Sequence, residues 1–388
     1  MTSKPLGTDR VGEVITADAI VTSTETYAPG WLHIVGDTIA AVGEGLFPSI
    51  TPASEHITAT IVPGFVDMHC HGGGGISFSD VVEHPDAVER VRQTHLQRGT
   101  TSLIASLVTA TPERLLAEVA ALAPHVRAGE IAGIHLEGPW LSDARSGAHD
   151  KAQLRHPDPA EIDALLAAAG ETVRMVTLAP ELPGAIDAIA RFVNNDVIVA
   201  VGHTDANAEE MDSAFAAGAT VATHIFNGMR PPHHQDPGPV YASLANERVT
   251  IELILDGHHV SNTAAEVVRL TASSRLALVS DAMSAAGASD GEYALGTHTV
   301  HVRDGVARLA DGSSLAGSTL TLDRAHQRLR SDHPCSLNDA VRACSTTPSR
   351  ALRLHEHGDL TAGFTADLAV LDSQGTVIRV MKKGKWIL

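Results

Sequence analysis

The sequence is poor in several things that would each have pointed somewhere. Aromatic residues make up 3% of 388 residues, and there are three cysteines, Cys70, Cys335 and Cys344. Three thiols give no disulfide framework and suit a reducing cytoplasm, the location expected here. No apolar run approaches the roughly 20 residues that span a bilayer. The opening Met1-Thr2-Ser3-Lys4-Pro5 lacks the apolar stretch of a signal peptide. A membrane partner is therefore not expected. Lys and Arg number 28 against 46 Asp and Glu, for a formal charge of −18, and no basic block stands out. Phosphate-backbone binding needs a basic face, so nucleic acid is not an expected partner either. There is no G-x-G-x-x-G, P-loop, nucleophile elbow or C-x-x-C.

What the chain does have is histidine, 22 of them. Neutral imidazole is the commonest metal ligand, so the excess asks for a chemical reason.

Hydrophobic patterning divides the chain in two. Ile15–Val21, Trp31–Val35 and Ile39–Gly43 near the start read as strands, with Gly36-Asp37 as a turn; Asp367–Asp372 and Val377–Met381 near the end read the same way, with Gln374-Gly375 between them. A small β-sandwich module made of residues 1–60 and 357–388 is expected from these. The middle carries eight apolar, β-favouring runs: Thr60–Asp67, Thr100–Val108, Ala132–Glu137, Val173–Pro180, Val197–His203, Thr220–Phe226, Val249–Asp256 and Leu276–Asp281. Stretches long enough for helices separate them, such as Glu83–Arg98, Pro112–Arg127 and Ala206–Ala217. Alternation of this kind implies βαβ units, and eight of them imply an α/β fold of the (β/α)8 TIM-barrel type over residues 61–356. Residues 289–318 read as a β-hairpin excursion after the eighth strand, followed by helices near Thr319–Arg330 and Ser336–Thr347.

Polar groups fall at one end of these runs. His69 and His71 follow the first, Glu137 ends the third, His203 ends the fifth, His224 lies late in the sixth and Asp281 ends the eighth. Parallel barrel strands bring their C-terminal ends to one face, so six ligand groups scattered over more than 200 residues of sequence would converge. His69-Cys70-His71 alternates so that both imidazoles share a side, and Gly72 to Gly75 leave backbone free to approach a ligand. A carboxylate ending a buried strand, as Glu137 would, is costly unless it is paired or coordinated. Asp281 is the natural general base beside a metal-activated water; its alternative is an N-cap for the following segment. His95, His125, His156, His326, His355 and His357 lie in expected helices or exposed loops and are taken as solvated.

Pro63–Gly75, His135–Trp140, Gly147-Ala148-His149, Val201–Thr204, Thr223–Met229, Asp256–Val260 and Val279–Ala282 together closely resemble the N-acetylglucosamine-6-phosphate deacetylases of the amidohydrolase superfamily. The resemblance covers nearly the whole chain. It implies hydrolysis of the acetamide of an N-acetyl amino sugar, with N-acetylglucosamine 6-phosphate giving glucosamine 6-phosphate and acetate. It implies that Glu137, His203 and His224 hold the main metal and that His69 and His71 serve a second site. Asp281 is then the catalytic acid/base, and His149 polarises the carbonyl. Ala148, Asn227, Gly228, Gln235 and His259 are the substrate contacts. Zinc is the first expectation, as one or two ions, with iron, cobalt and manganese as alternatives for such a donor set. A homodimer is implied as well. Family members usually carry an arginine where this chain has Gln235; a neutral Gln cannot offer a charge-assisted fork to phosphate. The alternatives are therefore an N-acetylgalactosamine or non-phosphorylated substrate. A deaminase or cyclic amidase is disfavoured because no lysine ends a barrel run. A scaffold that has lost its metals is disfavoured because all six ligand positions are filled.

Overall fold

The structure, a computed structural model, describes residues 12–48 and 53–387. The opening residues, in which no signal peptide is expected, lie outside the described residues.

The eight runs become the eight strands of a parallel barrel: β1 Phe65–Asp67, β2 Thr100–Leu103 continuing as Ala105–Leu107, β3 Ile134–Glu137, β4 Val173–Leu178, β5 Ile198–Val201, β6 Val221–Ala222, β7 Thr250–Ile254 and β8 Leu276–Val279. Each pairs in parallel with the next. Closure between first and last is made just past their ends. Cys70 bridges Ala282, and Asp281 N donates to His69 O at 2.9 Å. Seven crossover helices, α1 (Ala87–Leu96) to α7 (Asn262–Ala272), cover the outside. Residues of β5 (IVAV) and β8 (LALV) are buried throughout, as strands covered on both faces require. Local chemistry sets the helix limits. The helix Pro112–Arg127 starts on a Thr111 cap with proline in its first turn, and Ala208–Ala217 starts on an Asn207/Glu210 capping box and stops at Gly218.

Six strands, β2 and β4 to β8, are shorter at their C-terminal ends than the hydrophobic runs suggest, and three of these share a reason. The β5, β6 and β8 ladders stop two residues before His203, His224 and Asp281, whose backbones are left-handed (φ 46°, 26° and 46°). A left-handed residue cannot continue a ladder; it turns the side chain out of the strand register.

The run Thr60–Asp67 feeds two sheets. Its first part belongs to the strand Glu55–Pro63, which pairs with Glu13–Val21 and Leu368–Leu371; its last three residues are β1. The terminal module thus extends through Pro63. The break falls at Gly64, where a Cβ would stand 2.2 Å from Thr101 Oγ1. The strands of both termini join in one eight-stranded sheet with its own core, including Ile15, Ile20, Leu32, Ile39, Ile61 and Leu368.

The excursion after β8 is a three-stranded antiparallel sheet, Gly291–Leu295, His298–Arg303 and Val306–Leu309, rather than a two-stranded hairpin. Helix α8 (Leu322–Asp332) follows, and Leu337–Val341 runs through a π-helical turn into Thr347–Ala351. Two histidines taken as solvated are not. His95 and His326 are fully buried, at 0% and 1% exposure. Helix periodicity puts His95 on the face of α1 that meets the barrel, where its Nε2 donates to Gly72 O at 2.9 Å.

Candidate metal centre and cleft

The six ligand candidates meet at the C-terminal mouth of the barrel. Glu137, at the end of β3, is the hub. Its Oε1 lies 3.0 Å from His224 Nε2, 3.4 Å from His203 Nε2 and 3.5 Å from His69 Nε2. Its Oε2 lies 3.2 Å from His71 Nε2 and 3.4 Å from His149 Nε2. Asp281 Oδ1 closes the group at 3.2 Å from His71 and 3.4 Å from His69. All of these side chains are buried.

The donor chemistry tests whether a metal fits. The Nδ1 atoms of His69, His71 and His203 donate to Glu252 Oε2 (3.1 Å), Ser106 O (3.0 Å) and Arg145 O (2.8 Å). A neutral ring protonated on Nδ1 presents a lone pair from Nε2. Yet His69 Nε2 and His71 Nε2 face each other at 3.1 Å, as do His203 Nε2 and His224 Nε2. Converging lone pairs beside two carboxylates repel unless positive charge lies between them. The electrostatics agree. Burial pulls His69 and His71 toward neutrality, but the carboxylates win: Glu137, Glu252 and Asp281 hold His69 well above its ordinary range, and Asp281 and Glu137 bring His71 up to about 9. Burial likewise fails to raise Glu137 and Asp281, which the histidines hold below the usual carboxylate range. Divalent cations satisfy this set in place of protons. Two triads of metal-binding geometry, His69/His71/Glu137 and Glu137/His149/His203, share Glu137. The left-handed backbones at His203, His224 and Asp281 cost about 1–3 kcal/mol each, strain of the sort concentrated at functional sites.

Behind the cluster stand residues that the sequence reading did not assign. Glu252, in the middle of β7, is fully buried; one oxygen accepts from both His69 Nδ1 and His224 N, each at 3.1 Å. Below lies a polar floor, Ser106 to His135 Nδ1 (2.9 Å), His135 Nε2 to Thr177 (2.8 Å) and Thr177 to Thr223 (2.9 Å). An isolated carboxylate in a strand leaves no motif to read. Only its inward direction reveals it.

A cavity of about 240 Å³ opens from the cluster. Ala148, His149, Asn227, Gly228, His259 and Asp281 line it, as expected. His149 Nδ1 takes the Thr109 N–H (3.4 Å) and meets Thr109 Oγ1 at 2.9 Å, which leaves the ring proton on Nε2, toward the cavity. Burial, and then His203, lower His149 to about 4, so it stays neutral. Asn227 donates its side-chain amide to His224 O (3.1 Å), so its side-chain oxygen is the free group. At Gly228 a Cβ would stand 2.6 Å from His203 Nδ1, which excludes any other residue. His259 Nδ1 is held by Asp256 at 2.7 Å; burial opposes its charging, but Asp256 raises its pKa. Gln235 does not join them. It is exposed on the 233–236 turn and outside the cavity lining. Leu295, Ser314, Leu315 and Gly317, from the sheet excursion and the segment after it, form a wall that the sequence did not announce.

A (β/α)8 barrel with imidazoles and carboxylates gathered at its C-terminal mouth defines a class of metal-dependent hydrolase folds. The chain belongs to the amidohydrolase family, whose profile matches residues 60–387. It is 35% identical over 332 residues to the N-acetylglucosamine-6-phosphate deacetylase of Lysinibacillus sphaericus, covering 84% of each chain. It is 34% identical over 365 residues to the N-acetylgalactosamine-6-phosphate deacetylase of Escherichia coli O157:H7, covering 92% of this chain and 95% of that one. Among solved structures, an aspartate-to-alanine variant of the N-acetyl-D-glucosamine-6-phosphate deacetylase from Mycobacterium smegmatis, in complex with N-acetyl-D-glucosamine 6-phosphate, superposes with a TM-score of 0.94 at 46% identity, covering 97% of this chain and 99% of that one.

Proposed function

We propose that the chain hydrolyses the acetamide of an N-acetylhexosamine 6-phosphate, N-acetylglucosamine 6-phosphate first, releasing acetate and the amino sugar phosphate. The observation that carries this is the Glu137-centred cluster opening into a cavity beside Asp281 and His149. The deacetylase relatives supply the substrate class. The galactosamine epimer is the second reading, because the E. coli relative named for it is about as similar.

Residues 64–356 act as the catalytic domain, three residues in from the expected start at 61, and the residues before them with 357–388 as the supporting module. Glu137, His203 and His224 would hold one metal, and His69 and His71, with Glu137 and Asp281, a second. Zinc is the first candidate for this nitrogen and carboxylate set, before iron, cobalt or manganese. When bound, the metal supplies Lewis acidity to the acetyl carbonyl and acidifies water toward a pKa of about 7. The Asp281 carboxylate, held ionised by His69 and His71, takes the proton of the attacking water and passes it to the leaving amine. His149 donates its Nε2 proton to the developing oxyanion, a contact worth about 3–4 kcal/mol where such donors have been removed. Ala148, Asn227, Gly228 and His259 orient the sugar.

Three free cysteines, and described helices that are all too short or too polar to cross a membrane, support the cytoplasmic reading. A homodimer is part of the proposal and is checked by light scattering.

The deciding experiment measures acetate release from N-acetylglucosamine, N-acetylgalactosamine and their 6-phosphates by the metal-loaded protein. Release from the glucosamine 6-phosphate at the highest kcat/KM is expected. No release from any of the four would overturn the deacetylase reading.

A further inference from the structure

The proposed substrate is a phosphate ester, yet the residue expected to bind that group is neutral and lies outside the cavity. Arg145 and Arg230, which follow β3 and β6, are engaged: Arg145 with Asp205 at 2.6 Å, and Arg230 with Asp236 at 3.1 Å. Arg308 differs. It lies on the strand Val306–Leu309 of the sheet excursion, is exposed, and its side chain has no hydrogen bond or ion pair among the described residues.

Its direction follows from the pairing. Ala307 and Leu309 point into the small core under this sheet. Alternation therefore turns Arg308 to the opposite face. On that face Arg308 is bridged to Leu315, with Ala316 N donating to Ala307 O (3.2 Å) and Leu309 N to Ser314 O (3.1 Å) on either side. Directly opposed residues on antiparallel segments project their side chains from the same face. Leu315 lines the cavity, between Ser314 and Gly317. The Arg308 side chain thus leaves the sheet on the face that bears Leu315, a residue of the cavity lining. Its positive charge also reaches His259, an imidazole of the cavity lining, where it opposes protonation.

We propose that Arg308 binds the phosphate of the substrate, together with His259, and so determines the preference for a phosphorylated sugar over the free one. This rests on the deacetylase reading above and adds to it the source of the missing cation. A guanidinium offers a planar fork to phosphate oxygens, and His259, polarised by Asp256, offers a second donor. In a protein of formal charge −18, a local cation beside a hydrogen-bond donor is what admits a dianion.

The test compares kcat and KM for N-acetylglucosamine 6-phosphate and for N-acetylglucosamine in the wild-type protein, Arg308→Ala and Arg308→Lys. Arg308→Ala is expected to raise KM for the phosphate ester roughly 10- to 100-fold, with kcat within about threefold. Kinetics on the free sugar stay unchanged, and Arg308→Lys recovers part of the loss. Metal content and unfolding midpoint serve as controls, since an exposed side chain leaves both at wild-type values. If the wild type prefers the phosphate ester and Arg308→Ala keeps that preference, the assignment to Arg308 is overturned while the deacetylase reading stands. If the wild type acts on the free sugar as well as on its phosphate, phosphate recognition and the role of Arg308 both fall. If Arg308→Ala loses both substrates equally, its role is structural and the proposal is rejected.

Discussion

Glu252 offers the sharpest test of the metal centre, because it touches no ion in the proposed arrangement and yet fixes two of its ligands. One carboxylate oxygen holds the His69 Nδ1 proton and the His224 backbone N–H, both at 3.1 Å, and the residue is fully buried. Glu252→Gln keeps the volume and an accepting oxygen but removes the negative charge behind His69. Loss of such support behind a ligand weakens metal binding roughly 10- to 100-fold, which is about 1.4–2.8 kcal/mol. Glu252→Leu also removes the acceptor. The buried His224 N–H is then left without a partner, at a further cost of about 1–3 kcal/mol. The expected order of metal affinity is wild type, Gln, Leu, with at least another tenfold between the last two. Competition against a chromophoric chelator reads the affinity, and elemental analysis after dialysis reads the stoichiometry. The unfolding midpoint of the metal-free Gln variant should stay within about 3 °C of wild type, because volume and packing are kept. A Leu variant binding metal within twofold of wild type would refute the reasoning, since His69 orientation would then not depend on Glu252.

Two further outcomes follow. Asp281→Asn keeps a ligand-sized side chain but cannot take a proton; it should retain at least one metal equivalent by elemental analysis while kcat falls roughly 10²- to 10⁴-fold, and near-normal turnover would remove Asp281 from its role. In the terminal module, burial would raise the pKa of Asp367, but His357 and Lys382, with Lys382 Nζ at 2.7 Å, lower it. A depressed folded pKa means stabilisation that is complete above the unfolded value of about 3.9 and is lost as pH falls through the folded one. The unfolding free energy of Asp367→Asn should therefore lie about 2–4 kcal/mol below wild type at pH 7, where a buried charge pair is broken, and the gap should narrow below about pH 4. An equal gap at pH 7 and pH 3 in denaturant titrations would contradict the assignment.

Most of the centre could be read along the chain because barrel geometry converts a one-dimensional rule into a three-dimensional one. His69, His71, Glu137, His203, His224 and Asp281 each follow, end or lie late in an apolar run, and parallel closure gathers run ends. Spacing alone could not tell a helix face from its exposed side at His95, nor see that His326 is packed under the barrel. It also could not show that Thr60–Asp67 is shared between two sheets, since hydrophobicity is the same in both. Glu252 was invisible because a lone acid inside a strand has no partner in sequence. The cavity wall from the excursion was invisible because apolar residues such as Leu295 and Leu315 carry no chemical signature.

What the sequence determined by itself is the alternation of strand and helix, the closed parallel barrel and the candidate ligand set, because these depend on local periodicity and on residue type at run ends. The tertiary structure alone decided how the candidate ligands gather around Glu137, which acid stands behind His69, that Gln235 lies outside the cavity lining, and that Arg308 shares a sheet face with Leu315. These depend on backbone direction at single residues and on contacts between segments far apart in sequence, and neither is encoded in any one stretch of the chain.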